Sequence, residues 1–263
     1  QDCGPTVVSG WPASPPLDQV GGAGVWDPDG AGPQQPSIVV GTTPTLYADP
    51  ASVRMWLDGD WKVLARRVMN GVESGYVEHF FEWQGSLVMC GWFDSVDGVA
   101  CRNVARWDGT SWHPMGSGVA GGGRRVLVFR DEVYVVAAGS SAEPLVPWLV
   151  RWDGQTWHDV IGAPESESGY LITGIVSTDQ IVVGGWFSSI DGVPAANIAA
   201  WDGSAWQAIG TGLPNYVEAL GEFQGELVAS WAGFWSGGPG AARWTIPSSD
   251  PTRPSTSKKR SRP

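Results

Sequence analysis

Four side chains with ligand-binding chemistry stand at or near the start of apolar segments in this 263-residue sequence: Tyr76, Arg125, Tyr170 and Tyr216. Gly24 takes the corresponding place in an earlier segment. Phenol and guanidinium groups donate hydrogen bonds, so a ring of them can hold a polar ligand. The alternative is that tyrosine is simply common in β-strands.

Two tryptophans form a second candidate set. Trp92 and Trp186 are each followed by phenylalanine at the end of an apolar run. Exposed aromatic rings of this kind suit sugars or peptides, whereas the alternative role is packing in the core. A third set is the pair Asp27 and Asp29 in "DPDG". It has the alternating carboxylates of a calcium loop without the remaining ligands, so a turn is the competing interpretation.

Sequence patterns that indicate catalysis are weak. Neither a Gly-x-Ser-x-Gly nor a His-Glu-x-x-His motif is present. Two of the three histidines, His113 and His158, occupy equivalent repeat positions and are therefore predicted to lie far apart. We expect no enzyme activity and no cofactor. Because paired carboxylates are assembled in space, a glycosidase, or an oxidoreductase, stays as the alternative.

The elements that must position these residues belong to an internal repeat. The segment "LVMCGWFDSVDGVACRNVARWDGTSWHPMGSG" (87–118) aligns with "IVVGGWFSSIDGVPAANIAAWDGSAWQAIGTG" (181–212). The first tryptophans of the repeated phrase fall at 56, 107, 152, 201 and 244, so their spacings are 51, 45, 49 and 43. This period is typical of a propeller blade.

Each period contains four short apolar segments, which we name strands a to d. Asp-Gly pairs such as Asp108-Gly109 predict two-residue turns from strand c to strand d, with the tryptophans packing between blades. The last period lacks a strand d, and "VVSGWPASP" (7–15) resembles one. We therefore predict an all-β, five-bladed propeller of four-stranded antiparallel blades, closed by the N-terminal strand completing the C-terminal blade.

On these residues the chain resembles kelch-type propellers, in which a Gly-Gly pair ends strand b and tryptophans follow on strands c and d. Gly184-Gly185, Trp201 and Trp206 match that layout. It is more similar still to the Trp-Asp-Gly (WDGxxW) repeat arrays of secreted bacterial proteins. "MWLDGDW" and "VVAAGSS" depart from that pattern. Kelch-type copper oxidases need two tyrosines and two histidines at the metal, which the spacing of these histidines does not supply.

Charge and composition limit the partners. The net charge is −11, the last sixteen residues carry +4, and the remainder is therefore −15, which disfavours nucleic acid. We predict a lead at 1–6, the propeller at 7–247 and a disordered basic tail at 248–263. Cys90 and Cys101 could form a disulfide, or Cys3 could pair with either. No apolar run is long enough for a transmembrane segment.

The expected function is binding. The connections b–c and d–a are long, and function concentrates in long loops on a rigid scaffold. We therefore expect a secreted or cell-surface module of the bacterial envelope, monomeric, that binds an unknown protein or carbohydrate ligand. A start at Gln1 rather than Met agrees with a processed secreted protein. The alternative is a purely structural or adhesive envelope module.

Overall fold

The structure is a computed structural model that describes residues 19–29, 32, 35–43, 50–138, 148–161, 169–231 and 240–244. Every regular element in these ranges is a β-strand. None of the described residues lies in a helix long and apolar enough to cross a membrane. The predicted lead, the predicted closing strand at 7–15, Cys3 and the basic tail lie outside the described residues.

The first two sheets contain antiparallel strands in chain order. The strands of this region are β1 (Gln19–Trp26), β2 (Ser37–Thr43), β3 (Ala51–Leu57), β4 (Asp60–Asn70), β5 (Glu73–Ser74), β6 (Tyr76–Trp83), β7 (Ser86–Trp92), β8 (Ser95–Val96), β9 (Val99–Ala100), β10 (Val104–Trp107) and β11 (Trp112–Pro114). The first sheet has the order β1-β2-β3-β4-β8-β9, with β5 also paired to β4. The second has the order β11-β10-β7-β6.

The same a-b-c-d order recurs in the later sheets. Their strands are β12 (Gly122–Phe129), β13 (Glu132–Ala138), β14 (Leu149–Trp152), β15 (Trp157–Ile161), β16 (Tyr170–Ser177), β17 (Gln180–Trp186), β18 (Ser189–Ile190), β19 (Val193–Pro194), β20 (Ile198–Trp201), β21 (Trp206–Ala208), β22 (Val217–Phe223), β23 (Glu226–Trp231) and β24 (Gly240–Trp244). The sheet orders are β12-β13-β14-β15, β16-β17-β20-β21, β18-β19 and β22-β23-β24. The predicted succession of four antiparallel strands is therefore confirmed for the second, third and fourth repeats.

The segment at 94–102, predicted as a loop, forms the hairpin β8–β9 instead. This hairpin extends the first sheet, because Val68 of β4 pairs with Val96. Asp97 sits at its turn with a φ of 48°, and its carboxylate accepts hydrogen bonds from the backbone N–H groups of Arg66 and Arg67 at 2.9 Å. This hairpin and the short strand β5 together give the first sheet seven strands rather than the four expected.

The Asp-Gly turns are also built differently from the prediction. Trp107 pairs directly with Trp112, so the loop between strands c and d has four residues, not two. The Asp108 Oδ1 atom accepts from the backbone N–H groups of Thr110 at 2.8 Å and Ser111 at 2.9 Å, which fixes this loop as an Asx-type turn. The same carboxylate bonds recur at Asp153 and Asp202.

A two-residue turn does occur in the first repeat, where the sequence departs from the repeated phrase. Leu57 pairs with Asp60, which leaves Asp58 and Gly59 as the turn, with φ values of 55° and 80°. Positive φ at both central residues is the property of a type I′ turn, which glycine and aspartate tolerate best.

The chain divides into two compact units, residues 1–126 with 152–158 and residues 127–151 with 159–263. The core of unit one is built around Val39, Val53, Phe80, Met89 and Phe93. Unit two has two buried clusters, whose members include the following residues: Leu149, Leu171, Ile181, Phe187 and Ile190 in one, and Ile198, Leu213, Val217 and Leu227 in the other. Valine, leucine and isoleucine dominate these interiors, as expected for strands that bury one or both faces.

The predicted packing role of the paired tryptophans is confirmed. Four pairs lie with ring centroids 5.2–5.3 Å apart: Trp56–Trp61, Trp107–Trp112, Trp152–Trp157 and Trp201–Trp206. In unit one these rings also bridge sheets, because Trp112 Nε1 donates to the Leu64 carbonyl at 2.9 Å and Trp157 Nε1 to the Met115 carbonyl at 2.8 Å. Each acceptor belongs to the repeat preceding its donor.

Two buried asparagines join the loops of their repeats. The Asn103 amide oxygen accepts from the Phe93 backbone N–H at 3.0 Å, and its amide nitrogen donates to the carbonyls of Val119 and Gly121. In unit two the Asn197 side chain repeats this, with the Phe187 N–H and the Leu213 carbonyl as partners. One side chain therefore ties the end of strand b to the d–a connection.

Cys90 and Cys101 are free thiols, both buried. The disulfide between them that the sequence left open is therefore not formed. Burial raises the pKa of both thiols, that of Cys101 to about 11.

Replacing Asn103 by alanine should lower the free energy of unfolding by about 2–4 kcal/mol. The substitution leaves the Phe93 N–H and two buried carbonyls without their partner, and alanine tolerates the φ of 62° at this position less well. Urea denaturation measures the change. Asn70→Ala, at an exposed strand end, is the matched control with an expected change below about 0.5 kcal/mol. Equal effects of the two substitutions would contradict the role of Asn103.

Candidate functional site

The tyrosines do stand at the start of strand a, and glycine makes this possible. Tyr76 opens β6, Tyr170 opens β16 and Tyr216 immediately precedes β22. A Cβ atom on Gly75 would lie 2.7 Å from the Trp92 carbonyl oxygen, and one on Gly169 would come as close to the Trp186 carbonyl. Only glycine fits at these two positions, because the residue that precedes each tyrosine lies against the carbonyl group at the end of strand b.

Each tyrosine on strands β6 and β16 faces a candidate tryptophan. Tyr76 pairs with Trp92 and Tyr170 pairs with Trp186 across the antiparallel ladders. In both ladders a β-bulge follows within two residues, which turns the start of strand a. The sequence placed these residues in separate sets, and the structure brings them together in pairs.

In unit two the paired rings are exposed and a third ring joins them. The Tyr170 and Trp186 centroids lie 5.9 Å apart in an edge-to-face arrangement, and the two side chains are 38% and 51% exposed. Tyr216 lies close enough to Tyr170 for the two phenols to influence each other, and its hydroxyl donates to Glu218 Oε1 at 3.4 Å. Partial burial and Glu218 raise the pKa of Tyr216. We call Tyr170, Trp186, Tyr216 and Glu218 the unit-two aromatic patch.

In unit one the corresponding tryptophan is Trp92, and its indole packs against different neighbours. Trp92 is half-buried, and its indole occupies the space where Gly122 has no Cβ. Tyr76 stays 38% exposed. Burial and the Glu78 carboxylate raise the pKa of Tyr76, whereas the Arg124 guanidinium opposes that rise. We call Tyr76, Trp92, Gly122 and Arg124 the unit-one aromatic site.

The residue at the start of the next strand a differs between the two sites. Gly122 is the first residue of β12, as Tyr76 and Tyr170 are the first residues of β6 and β16. A Cβ atom on Gly122 would overlap the Trp92 indole, so the packing of Trp92 requires glycine there. Tyr216 stands at the equivalent place before β22, and Trp186 lies exposed beside Tyr170.

The structure places Arg125 and Gly24 differently from the tyrosines. Because β12 begins at Gly122, Arg125 is the fourth residue of its strand, where β6 has His79. Gly24 is the sixth residue of β1 and would place a Cβ against Phe80. Arg125 acts electrostatically on His79 and Cys90. Its role in ligand binding stays a prediction.

The pKa of His79 is strongly altered by this environment. Its Nδ1 atom accepts a hydrogen bond from the Val126 backbone N–H at 3.3 Å. Burial, together with the Arg125 guanidinium, lowers the pKa of His79 to about 4. The imidazole is therefore neutral at pH 7.

Asp27 and Asp29, the calcium candidates, interact with each other and with Glu82. The Asp27 backbone N–H donates to Glu82 Oε2 at 3.0 Å, and the Asp27 Oδ1 atom is buried without a partner. Burial and the neighbouring carboxylates raise the pKa of Asp27, so one proton is retained more easily there. In the described ranges no group of three or more His, Cys, Asp or Glu side chains is arranged to hold a metal ion. Calcium binding stays a prediction.

Residues 108–113 contain Asp, Ser and His side chains in contact, yet they do not form a catalytic triad. The His113 Nε2 atom lies 2.6 Å from Asp108 Oδ2 and 3.1 Å from Ser111 Oγ. A triad needs the acid and the nucleophile on different ring nitrogens, because the imidazole carries a proton between them. The same contacts recur at Asp153, Thr156 and His158, which identifies them as part of the repeated loop.

Comparisons with known proteins agree with this architecture. Residues 177–199, which include β17 and the β18–β19 hairpin, match the family described as "Domain of unknown function (DUF5122) beta-propeller". None of the curated proteins matches the chain. The chain is an all-β, propeller-like protein. It consists of several antiparallel sheets.

Solved structures with similarity to the chain include a computationally designed protein, Ika8, at 14% identity and a TM-score of 0.46, over 81% of this chain and 56% of that one. The β-propeller domain of the trilobed protease from Pyrococcus furiosus has 16% identity and a TM-score of 0.43, over 71% and 51%. Pyrococcus horikoshii acylaminoacyl peptidase has 14% identity and a TM-score of 0.41, over 80% and 32%. The propeller-like chain thus spans about half the length of the first two and a third of the last.

Three residues of these two sites were missed by sequence reasoning: Gly122, Arg124 and Glu218. All stand at the start of a strand a. Counting residues back from the a–b turn, rather than looking for the first tyrosine or arginine, would have located them.

Lowering the pH from 6.5 to 4 should destabilise the propeller-like chain through His79 by about 3 kcal/mol. In this window the unfolded chain binds a proton at His79 and the native chain does not, so the free energy of unfolding falls as the pH falls. Urea denaturation from pH 7 to pH 4 measures this slope. His79→Gln, which keeps an acceptor for the Val126 N–H, should flatten it, and the exposed control His113→Gln should not. An unchanged slope in His79→Gln would refute the assignment.

Proposed function

We propose that this propeller-like chain is an interaction module that binds a carbohydrate at the unit-two aromatic patch. A propeller-like fold suggests an interaction module. The observation that supports the site is the exposure of Trp186 beside Tyr170, in a chain that buries or half-buries its paired tryptophans. A large apolar ring that is left exposed next to polar groups is typical of a binding surface.

The chemistry of the unit-two aromatic patch suits a sugar ring. The C–H face of a pyranose packs on an indole, while its hydroxyls exchange hydrogen bonds with phenols and carboxylates. Trp186 supplies the ring, Tyr170 and Tyr216 supply hydroxyls, and the exposed Glu218 supplies an acceptor. Since Glu218 is the charged group of the patch, a neutral sugar fits better than an acidic one.

We further propose that the repeats are of the kelch-like, Trp-Asp-Gly type and that the protein acts as a monomer outside the cell, as the resemblance to secreted bacterial arrays implies. The proposal includes five blades and no enzyme activity. A purely structural or adhesive envelope module is the competing function, and a blank ligand screen would favour it.

Trp186→Ala should weaken carbohydrate binding about thirtyfold, because an exposed tryptophan at the centre of a site supplies roughly 2 kcal/mol or more. A glycan array identifies the sugar, and isothermal titration calorimetry then gives the dissociation constants. Phe223→Ala is the matched control, since Phe223 is an exposed ring in the same unit. A blank array, or wild-type affinity in Trp186→Ala, would refute the proposal.

The closure of the propeller is tested separately. The sheet of β22, β23 and β24 has three strands among the described residues, where the second, third and fourth repeats have four. We propose that residues 7–15 supply the missing strand.

Deleting residues 1–15 should lower the melting temperature by roughly 5–10 °C, because the deletion would leave a sheet edge and its apolar face uncovered. Differential scanning calorimetry measures the transition. Deleting residues 248–263 is the control and should leave the transition in place. If the N-terminal deletion melts with the intact chain, residues 7–15 do not close the fold.

A further inference from the structure

The two aromatic sites share a Tyr–Trp pair but differ in the charged residue beside it. Arg124 is the third residue of β12, and Glu218 stands two residues after Tyr216 at the start of β22. Arg124 acts on the Tyr76 phenol, whereas Glu218 accepts a hydrogen bond from the Tyr216 phenol. We infer that the unit-one aromatic site binds an oxyanion, a carboxylate or sulfate group, through Arg124 and Tyr76.

The first support is the state of Arg124. Its side chain is half-buried, and its Nε atom is covered by protein without a hydrogen-bond partner. Three other arginines of the described part have a carboxylate partner within 3.2 Å: Arg130 with Asp179, Arg151 with Glu132 and Arg243 with Glu226. A buried donor without a partner calls for an explanation, and an anion bound at the Arg124 guanidinium would supply one.

The second support is the charge around this residue. The chain carries 27 acidic and 16 basic side chains, so a cationic site is unusual here. Arg124 and Arg125 are adjacent on β12, and neither is in an ion pair among the residues that the structure describes. Glu78 is the acidic group that acts on both Tyr76 and Cys90. His79 is neutral, so the charged groups that act on Tyr76, His79 and Cys90 are Arg124, Arg125 and Glu78.

The third support is the set of donors. A guanidinium donates two parallel hydrogen bonds to the oxygens of a carboxylate or sulfate, and a neutral phenol adds a third. Tyr76 is partly exposed, and its phenol is protonated at pH 7, as phenols ordinarily are; partial burial and Glu78 raise its pKa further. The Trp92 indole over Gly122 forms an apolar wall of the same site. An anionic sugar or a similar small acid fits these groups.

The inference rests on the proposed function in one respect only, namely that the anion is carried by a sugar ring. Inorganic sulfate needs no aromatic platform, so sulfate binding tests Arg124 alone. Carbohydrate binding at the unit-two aromatic patch is tested by Trp186→Ala, a residue of the other unit. The two proposals can therefore fail independently.

The experiment is a titration of the full ¹⁵N-labelled chain with sodium sulfate at constant ionic strength, with chloride as the balancing salt. The buried Nε–H of Arg124 gives a resolvable NMR signal, assigned by its loss in Arg124→Gln. We expect this signal to shift saturably in the wild type and in the exposed control Arg67→Gln. Arg124→Gln should bind sulfate at least tenfold more weakly, judged by the backbone N–H signals of Gly122 and Gly123. Arg124→Lys keeps the positive charge but not the paired N–H donors of the guanidinium, so its sulfate affinity should lie between those of the wild type and Arg124→Gln.

Glucuronate and glucose then separate the oxyanion from the sugar ring. Glucuronate should shift the Arg124 signal at concentrations at least tenfold lower than glucose, and Tyr76→Phe should reduce that preference. Wild-type sulfate binding in Arg124→Gln, or equal responses to glucuronate and glucose, would overturn the inference. Backbone spectra that match the wild type away from β12 show that each variant is folded.

Discussion

In two repeats, a buried side-chain amide holds together the part on which the aromatic sites depend. Asn103 binds the Phe93 backbone and the Val119 carbonyl, and Asn197 does the same for Phe187 and Leu213. These bonds lie in low-dielectric surroundings, where a satisfied polar group specifies one geometry and an unsatisfied one is costly. Phe93 and Phe187 follow Trp92 and Trp186 directly, so the amides fix the backbone that follows each tryptophan at the end of strand b.

Much of the fold follows from the sequence because its repeats carry strong periodic patterns. Strands β7 and β17 lie at the start of the aligned segments 87–118 and 181–212, and the tryptophan pairs pack as expected. The hairpin β8–β9 was missed because strands of two residues have no periodicity, and its partner β4 lies in another repeat. The Asp-Gly turns were misjudged because the Asp108 carboxylate captures two backbone N–H groups, which favours a longer loop than the dipeptide alone implies.

The candidate sites were predictable only in part, for a different reason. Tyr76, Tyr170, Trp92 and Trp186 stand out by residue type, but their pairing depends on the register between strands a and b. The packing of Trp92 depends on a third strand, where Gly122 leaves space for its indole. Local patterns contain no information on such contacts. The propeller-like scaffold is thus regular, whereas its site chemistry is set by single residues at the start of strand a.

The hydrogen bonds of the tryptophan indoles give unit one a further property. The Trp112 indole donates a hydrogen bond to the Leu64 carbonyl, and the Trp157 indole donates one to the Met115 carbonyl. Each carbonyl belongs to the repeat that precedes the repeat of its tryptophan. The second repeat is therefore a donor through Trp112 and an acceptor through Met115, and nearest-neighbour coupling of this kind makes stability a shared quantity in repeat proteins. A repeat that is duplicated or lost as a whole would bring or remove a donor at one boundary and an acceptor at the other. Evolutionary change by complete repeats is therefore favoured over insertion of residues within a repeat.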